Sequence, residues 1–248
     1  MICAIALALL APTSKVETFK VDGLDRQALV YAPAKSSAHP PIVFCFHGHG
    51  GNMNYSARAY DLQDAWPEAV VVYMDGLPIA GIFDREGTKN GWQKKSGEAN
   101  DRDLHFFDAV YASAQKEFDF DAKRVYAMGH SNGAGFSYLL WAERRDKLAA
   151  IAAASASIQQ QFHHGMIPVL AIAGEKDDVV PFRLQQRNIE RLKTMLGVPS
   201  GAAPTTFGVG QIYKGTQADL GVYIHPGGHN YPPEASKLIV DFFKAHKQ

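Results

Sequence analysis

Ser131 stands in Gly129-His130-Ser131-Asn132-Gly133, a match to G-x-S-x-G, and two residue groups further along the chain could cooperate with it. They are the acidic cluster Gly174-Glu175-Lys176-Asp177-Asp178 and the pair Gly228-His229. A serine hydroxyl is a poor nucleophile near neutral pH unless a base takes its proton during attack, and the base needs a third group to hold its tautomer. Serine, carboxylate and histidine together are therefore the parts for acyl transfer through a serine ester. The pentapeptide alone is a weak signal, because an ordinary glycine-rich strand-to-helix loop can also match it.

Such chemistry needs a sharp turn that lifts Oγ clear of a sheet, with glycines flanking the serine where a Cβ would crowd the neighbouring strand and helix. Residues 125–128 before the motif are strand-like, and residues 136–145 after it have helical spacing with an apolar face. The run at 42–46 is continuously apolar, the pattern of a central strand covered on both faces. It ends in His47-Gly48-His49-Gly50-Gly51-Asn52, a glycine cluster whose backbone N–H groups can turn toward a ligand, as an oxyanion site requires. His47 and His49 could instead be a metal pair, but no acidic ligand set sits beside them.

Further buried-strand runs are read at 69–74, 149–154, 167–173 and 220–225, and helices at 104–118, 182–196 and 234–246. Residues 16–21 and 27–31 alternate around Asp22-Gly23 and predict an antiparallel pair at the sheet edge. Strands alternating with helices predict a largely parallel sheet, and the candidate acid and base both follow strand ends, where open parallel sheets hold ligands. Residues 77–102 have no clear period, and so long a connection is more often functional than idle. Phe83 and Trp92 within it are candidates to line a substrate pocket, with simple packing as the alternative. Residues 197–210, rich in small and turn residues, read as a surface loop.

A chain of 248 residues with 46% hydrophobic content can bury the core of one α/β domain. Twenty-five basic residues balance twenty-five acidic ones, so no net field recruits nucleic acid or an anionic membrane. Cys3 and Cys45 offer neither a disulfide framework nor a cysteine zinc site, and Cys45, inside an apolar run, reads as an inert thiol. Residues 2–11 form an apolar run of signal-peptide length, well short of the ~20 residues a spanning helix needs. Export is expected, with residues 1–12 as leader and 13–248 as a single domain. His163, His164, His225 and His246 lack a strand-end position beside paired glycines and read as structural or solvated.

HGHGGN, GHSNGAG, GEKDDVVPF and GGHNYP, with Gly91-Trp92 and Asp103-Leu104-His105-Phe106, resemble the secreted polyhydroxybutyrate depolymerase and feruloyl esterase group of α/β-hydrolases, which includes carbohydrate esterases. The resemblance runs from about residue 42 to the end of the chain. It implies an α/β-hydrolase fold: a mostly parallel central sheet, antiparallel N-terminal edge strands and helices on both faces. It also implies a serine esterase acting on feruloyl or acetyl esters of plant polysaccharide, or on hydroxyalkanoate esters, without cofactor or metal. Residue by residue it makes Ser131 the nucleophile, His229 the base and Asp177 the acid, since Asp177 opens the D-x-V-V-P pattern; Asp178 is the alternative. The oxyanion donors would be the amides of His49 and Asn132, with their side chains of less account.

Trp92, Tyr231 and Phe83 would touch substrate. Tyr231 stands where the family often has tryptophan, which would reshape the acyl pocket. The cysteine pairs of secreted relatives are missing, and so is a linker to a binding domain, which favours soluble esters over solid polyester. A serine peptidase of the same fold and a secreted, non-catalytic carbohydrate-binding or adhesion protein are the competing readings.

Overall fold

The computed structural model describes residues 13–35 and 37–248; the expected leader and Cys3 lie outside the described residues. The chain opens with the antiparallel pair β1 (Ser14–Val21) and β2 (Leu24–Tyr31), then enters the sheet at β3 (Ile42–Phe46). Helices α1 (Met53–Tyr60) and α2 (Leu62–Ala65) lead to β4 (Val70–Met74), and β5 (Leu77–Pro78) pairs with β6 (Asn90–Gly91) outside the main sheet. Helix α3 (Arg102–Phe118), β7 (Val125–His130), α4 (Asn132–Glu143), β8 (Ala150–Ala154), β9 (Val169–Gly174) and α5 (Phe182–Met195) continue the alternation. The hairpin of β10 (Thr205–Phe207) and β11 (Gly210–Tyr213), then β12 (Leu220–His225) and α6 (Ala235–Ala245), complete it.

Among the described residues, ten strands form one sheet in the order β1-β2-β4-β3-β7-β8-β9-β12-β11-β10. The six from β4 to β12 are mutually parallel, so the chain leaves β3, β7, β9 and β12 at the same edge. Along β3, Ile42, Phe44 and Phe46 join the core on one face and Val43 and Cys45 the core on the other. That double burial is why this strand reads as an unbroken apolar run. Phe106 and Phe107 of α3, Phe136 of α4 and Leu192 of α5 pack with the first set; Tyr60 of α1, Leu62 of α2 and Leu238 of α6 pack with the second. Cys45 is fully buried, and burial pushes its thiol pKa well up, so no reactive thiolate is available.

Three local readings need correction, and two helices were missed. Helix α4 begins at Asn132, four residues before its expected start, because Gly133 and Gly135 lower helix propensity there while burial on nearly all sides sustains it. The 197–210 loop contains β10, and β10–β11 extends the sheet antiparallel at the edge opposite β1. Helices α1 and α2 were not read from the sequence. The 77–102 stretch is not structureless: β5 and β6 pair across it, and side-chain bonds tie down the remainder.

Arg26 and Asp103 fasten that stretch to the sheet. Both side chains are fully buried; Arg26 Nη2 donates to Asp103 Oδ1 at 2.8 Å and to the Asp75 carbonyl at 3.2 Å. Asp103 Oδ2 accepts the Gln93 N–H at 2.8 Å, so one ion pair joins β2, the end of the long connection and α3. Removing one partner strands the other charge in the core. Arg26→Met should cost about 3–5 kcal/mol in urea unfolding, and a loss under 1 kcal/mol would mean the pair anchors nothing.

Candidate active site

Ser131 has φ +54° and ψ −119°, a conformation that L-residues resist, at the junction of β7 and α4. The turn is tight because the strand and helix backbones nearly touch. A Cβ on Gly129 would fall 2.3 Å from the Gly133 carbonyl carbon, and one on Gly133 would fall 2.2 Å from the Phe46 carbonyl oxygen. Only glycine fits at either place.

His229, in the loop after β12, reaches the serine: its Nε2 lies 2.9 Å from Ser131 Oγ. Its Nδ1 lies 3.0 and 2.9 Å from the two oxygens of Asp177, in the turn after β9. With Nδ1–H donating to the carboxylate, Nε2 is left to accept the serine proton. Asp177 is buried, whereas Asp178 is exposed. Burial alone would raise the Asp177 pKa, but the His229 ring and the N–H groups of Val180 and Val179 outweigh it and hold the carboxyl below its ordinary value. Those amides donate at 2.8 and 3.0 Å, and Gln185 Nε2 at 2.9 Å.

The loop after β3 faces the serine from the other side. A Cβ on Gly48 would stand 3.5 Å from Ser131 Cβ. Among the described residues, the His49 and Asn132 N–H groups form no hydrogen bond to another protein group. Both side chains, expected to matter little, are in fact engaged. His49 Nε2 bonds Asp84 Oδ2 at 3.1 Å, while Asn132 Oδ1 accepts the Trp92 N–H at 2.7 Å and its Nδ2 donates to the Trp92 carbonyl at 3.0 Å. Asp84 also takes the Thr88 and Lys89 N–H groups. The 77–94 connection is thus a strap pinned beside the serine.

Of the expected substrate contacts, Trp92 is a correction. It is 0% exposed, its ring packs against both Phe46 and Phe136, and its Nε1–H donates to the His47 carbonyl at 2.9 Å. A side chain with no accessible surface links scaffold segments and cannot touch substrate. Phe83 is the opposite, 78% exposed at the strap tip beside Ile82. Tyr231 is half-buried, with its ring 4.6 Å from that of Tyr60 and its hydroxyl 3.1 Å from Ser236 Oγ. His47 and His49 bond separate partners, and no group of three or more metal-ligating side chains exists among the described residues. His163 and His164 are exposed, His225 is buried and accepts the Gly227 N–H, and His246 bonds Asp219.

Gln185 and His130 escaped the sequence reading. A glutamine on the buried face of an amphipathic helix was the available signal for the first. His130, the variable position before the serine, donates from Nε2–H to the His229 carbonyl at 2.5 Å and so ties the two loops together.

The architecture, a mostly parallel sheet flanked by helices, is that of the α/β-hydrolase fold. Solved structures agree: a ferulic acid esterase has a TM-score of 0.68 at 15% identity, covering 94% of this chain and 99% of that one, and a Bacillus cereus carboxylesterase has 0.64 at 15%, covering 89% and 94%. At such identities these neighbours speak for the fold alone. No protein-family model matches the chain. In sequence, the chain is similar to proteins named as feruloyl and acetylxylan esterases. The probable feruloyl esterase C of Aspergillus clavatus is 26% identical over 201 residues, 77% of this chain and 70% of that protein. The bifunctional acetylxylan esterase/xylanase of Neocallimastix patriciarum is 26% identical over 216 residues, 82% of this chain but only 30% of that longer protein.

Burial, with the nearby His229, pushes the His130 pKa down from 6.5 to about 4. Between those values the unfolded chain binds more protons than the native one, so stability is full above about 6.5 and falls as pH drops toward about 4. His130→Gln should flatten that part of the stability-versus-pH curve measured by chemical denaturation; an unchanged slope would place the acid sensitivity elsewhere.

Proposed function

We propose that this protein is a serine esterase that hydrolyses carboxylic esters through an acyl-enzyme. The observation that carries the reading is the continuous hydrogen-bonded line from Ser131 Oγ through the His229 ring to the buried Asp177 carboxylate. His229 Nε2 takes the Ser131 proton as Oγ forms its bond to the ester carbonyl carbon, and the π electrons move onto the carbonyl oxygen. The His49 and Asn132 N–H groups stabilise that oxyanion. When the tetrahedral adduct collapses, the ester C–O bond breaks and the imidazolium gives its proton to the departing alkoxide. Water then repeats the sequence on the acyl-serine, releasing the acid and restoring the hydroxyl. Asp177 holds the ring's tautomer and stabilises its positive charge throughout.

The similarity to feruloyl and acetylxylan esterases favours feruloyl or acetyl esters of plant polysaccharide as substrates, with hydroxyalkanoate esters as the alternative class. Phe83, exposed on the strap that grips His49, is the proposed apolar contact for an aromatic acyl group, and Tyr231 a wall beneath the His229 loop. Export follows from the apolar run at 2–11, and no helix among the described residues is long and apolar enough to cross a membrane. An intact Met1 on protein recovered from the cytosol would end the export reading.

Ser131→Ala should leave only a residual rate on p-nitrophenyl acetate, and Asp177→Asn should lower kcat by roughly 10⁴. Near-native turnover by either variant removes that residue from the mechanism. Phe83→Ala should raise KM for methyl ferulate about 3- to 10-fold and leave acetate hydrolysis unaltered, whereas equal effects on both esters would remove Phe83 from acyl recognition.

A further inference from the structure

The His49 N–H can serve an oxyanion only if its peptide plane is held in one orientation, and glycines on both sides of His49 place few limits on that plane. The restraint comes from the preceding residue. His47 is fully buried, and its Nε2 accepts the Gly76 N–H at 2.9 Å, so the ring proton is on Nδ1. That Nδ1–H donates to the Gly48 carbonyl at 2.8 Å. The same carbonyl takes the Gly51 N–H at 2.9 Å, closing a four-residue turn whose third residue, Gly50, has φ +78°, the signature of a type II turn. Two donors therefore converge on one oxygen and fix it.

A trans peptide sets its N–H antiparallel to its C=O. Fixing the Gly48 carbonyl against His47 and Gly51 thus turns the His49 N–H the opposite way, where it meets no protein acceptor among the described residues. The serine lies beside this peptide, since a Cβ on Gly48 would stand 3.5 Å from Ser131 Cβ. His47 has little freedom of its own: the Trp92 indole N–H grips its carbonyl at 2.9 Å, and the two rings lie 5.0 Å apart. Asp75 Oδ1, 3.5 Å from His47 Nε2, is committed to the Met53 N–H at 3.1 Å.

We propose that His47 is a positioning residue for the oxyanion site, holding the Gly48 carbonyl back and thereby aiming the His49 N–H at the oxygen that becomes negative during attack. The proposal rests on the esterase reading above. Its catalytic effect comes from orienting a dipole before charge develops, so the loss falls on the transition state and not on substrate binding.

An asparagine at 47 can present an amide donor near the Nδ1 position, whereas a glutamine reaches the Nε2 position and supplies none to Gly48. His47→Gln should therefore lower kcat on p-nitrophenyl acetate by about 10²-fold or more with KM within about threefold. It should weaken inhibition by a trifluoromethyl ketone, whose serine adduct carries the oxyanion, by a similar factor. His47→Asn should recover most of both. In the wild-type protein, ¹⁵N NMR of the His47 imidazole should find the proton on Nδ1; this measurement and the Asn variant decide the matter should the Gln variant not fold. A proton on Nε2, a folded Gln variant with wild-type kcat, or two variants losing activity only in step with Tm would overturn the role of His47 and leave the esterase reading standing. A wild-type protein that neither turns over esters nor labels at Ser131 with a fluorophosphonate would sink both.

Discussion

The site depends on one close approach of backbone to backbone. Gly133, at the start of α4, lies against the carbonyl oxygens of Phe46 and His47 at the end of β3, with room for a hydrogen and nothing larger. This contact lets the segment after β3 and the turn after β7 share one small volume. Because it exists, Gly48 can reach Ser131 and the two proposed oxyanion amides can face a common point. Its local cost is the strained backbone of Ser131, which the packing of β7 and the almost fully buried α4 sustains.

Around that approach the structure spends its buried polar groups on orientation. Trp92 bonds His47 through its indole and Asn132 through its backbone, so the two sides of the proposed oxyanion site are joined by one residue with no exposed surface. Asp84 grips His49, and Gln93 with the Arg26 and Asp103 ion pair grips the far end of the same strap. A hydrogen bond between buried groups is worth most where losing it would leave a donor or acceptor unpaired. These are the conditions under which amides stay aimed while a reaction moves charge past them.

The histidines divide by their partners. His229 faces a serine hydroxyl and a carboxylate, the two groups that let an imidazole take up and give back a proton. His47, His130 and His225 are instead bonded to backbone groups, which keeps each in one tautomer. Burial favours the neutral form of His130 and His225, so their rings act as fixed donors and acceptors within the loops that converge on Ser131.

Much of the frame was legible in the chain. Apolar runs at β3, β4, β7, β8, β9 and β12 announced strands because each, Ile224 of β12 aside, is buried on both faces, and the glycines around Ser131 announced a turn because a Cβ would collide there. The G-x-S-x-G match and the strand-end positions of a histidine and an acidic cluster brought Ser131, His229 and the carboxylates under consideration. The start of α4, the β10–β11 hairpin and the helices after β3 were hidden, since tertiary burial and edge pairing stabilise them more than local propensity does. Which carboxylate meets His229, why Trp92 is scaffold and not substrate wall, and how His47 turns a neighbouring peptide were decided only in three dimensions. Those facts depend on distances between residues far apart along the chain and on the direction of single N–H and C=O bonds, and neither quantity is carried by residue type or spacing.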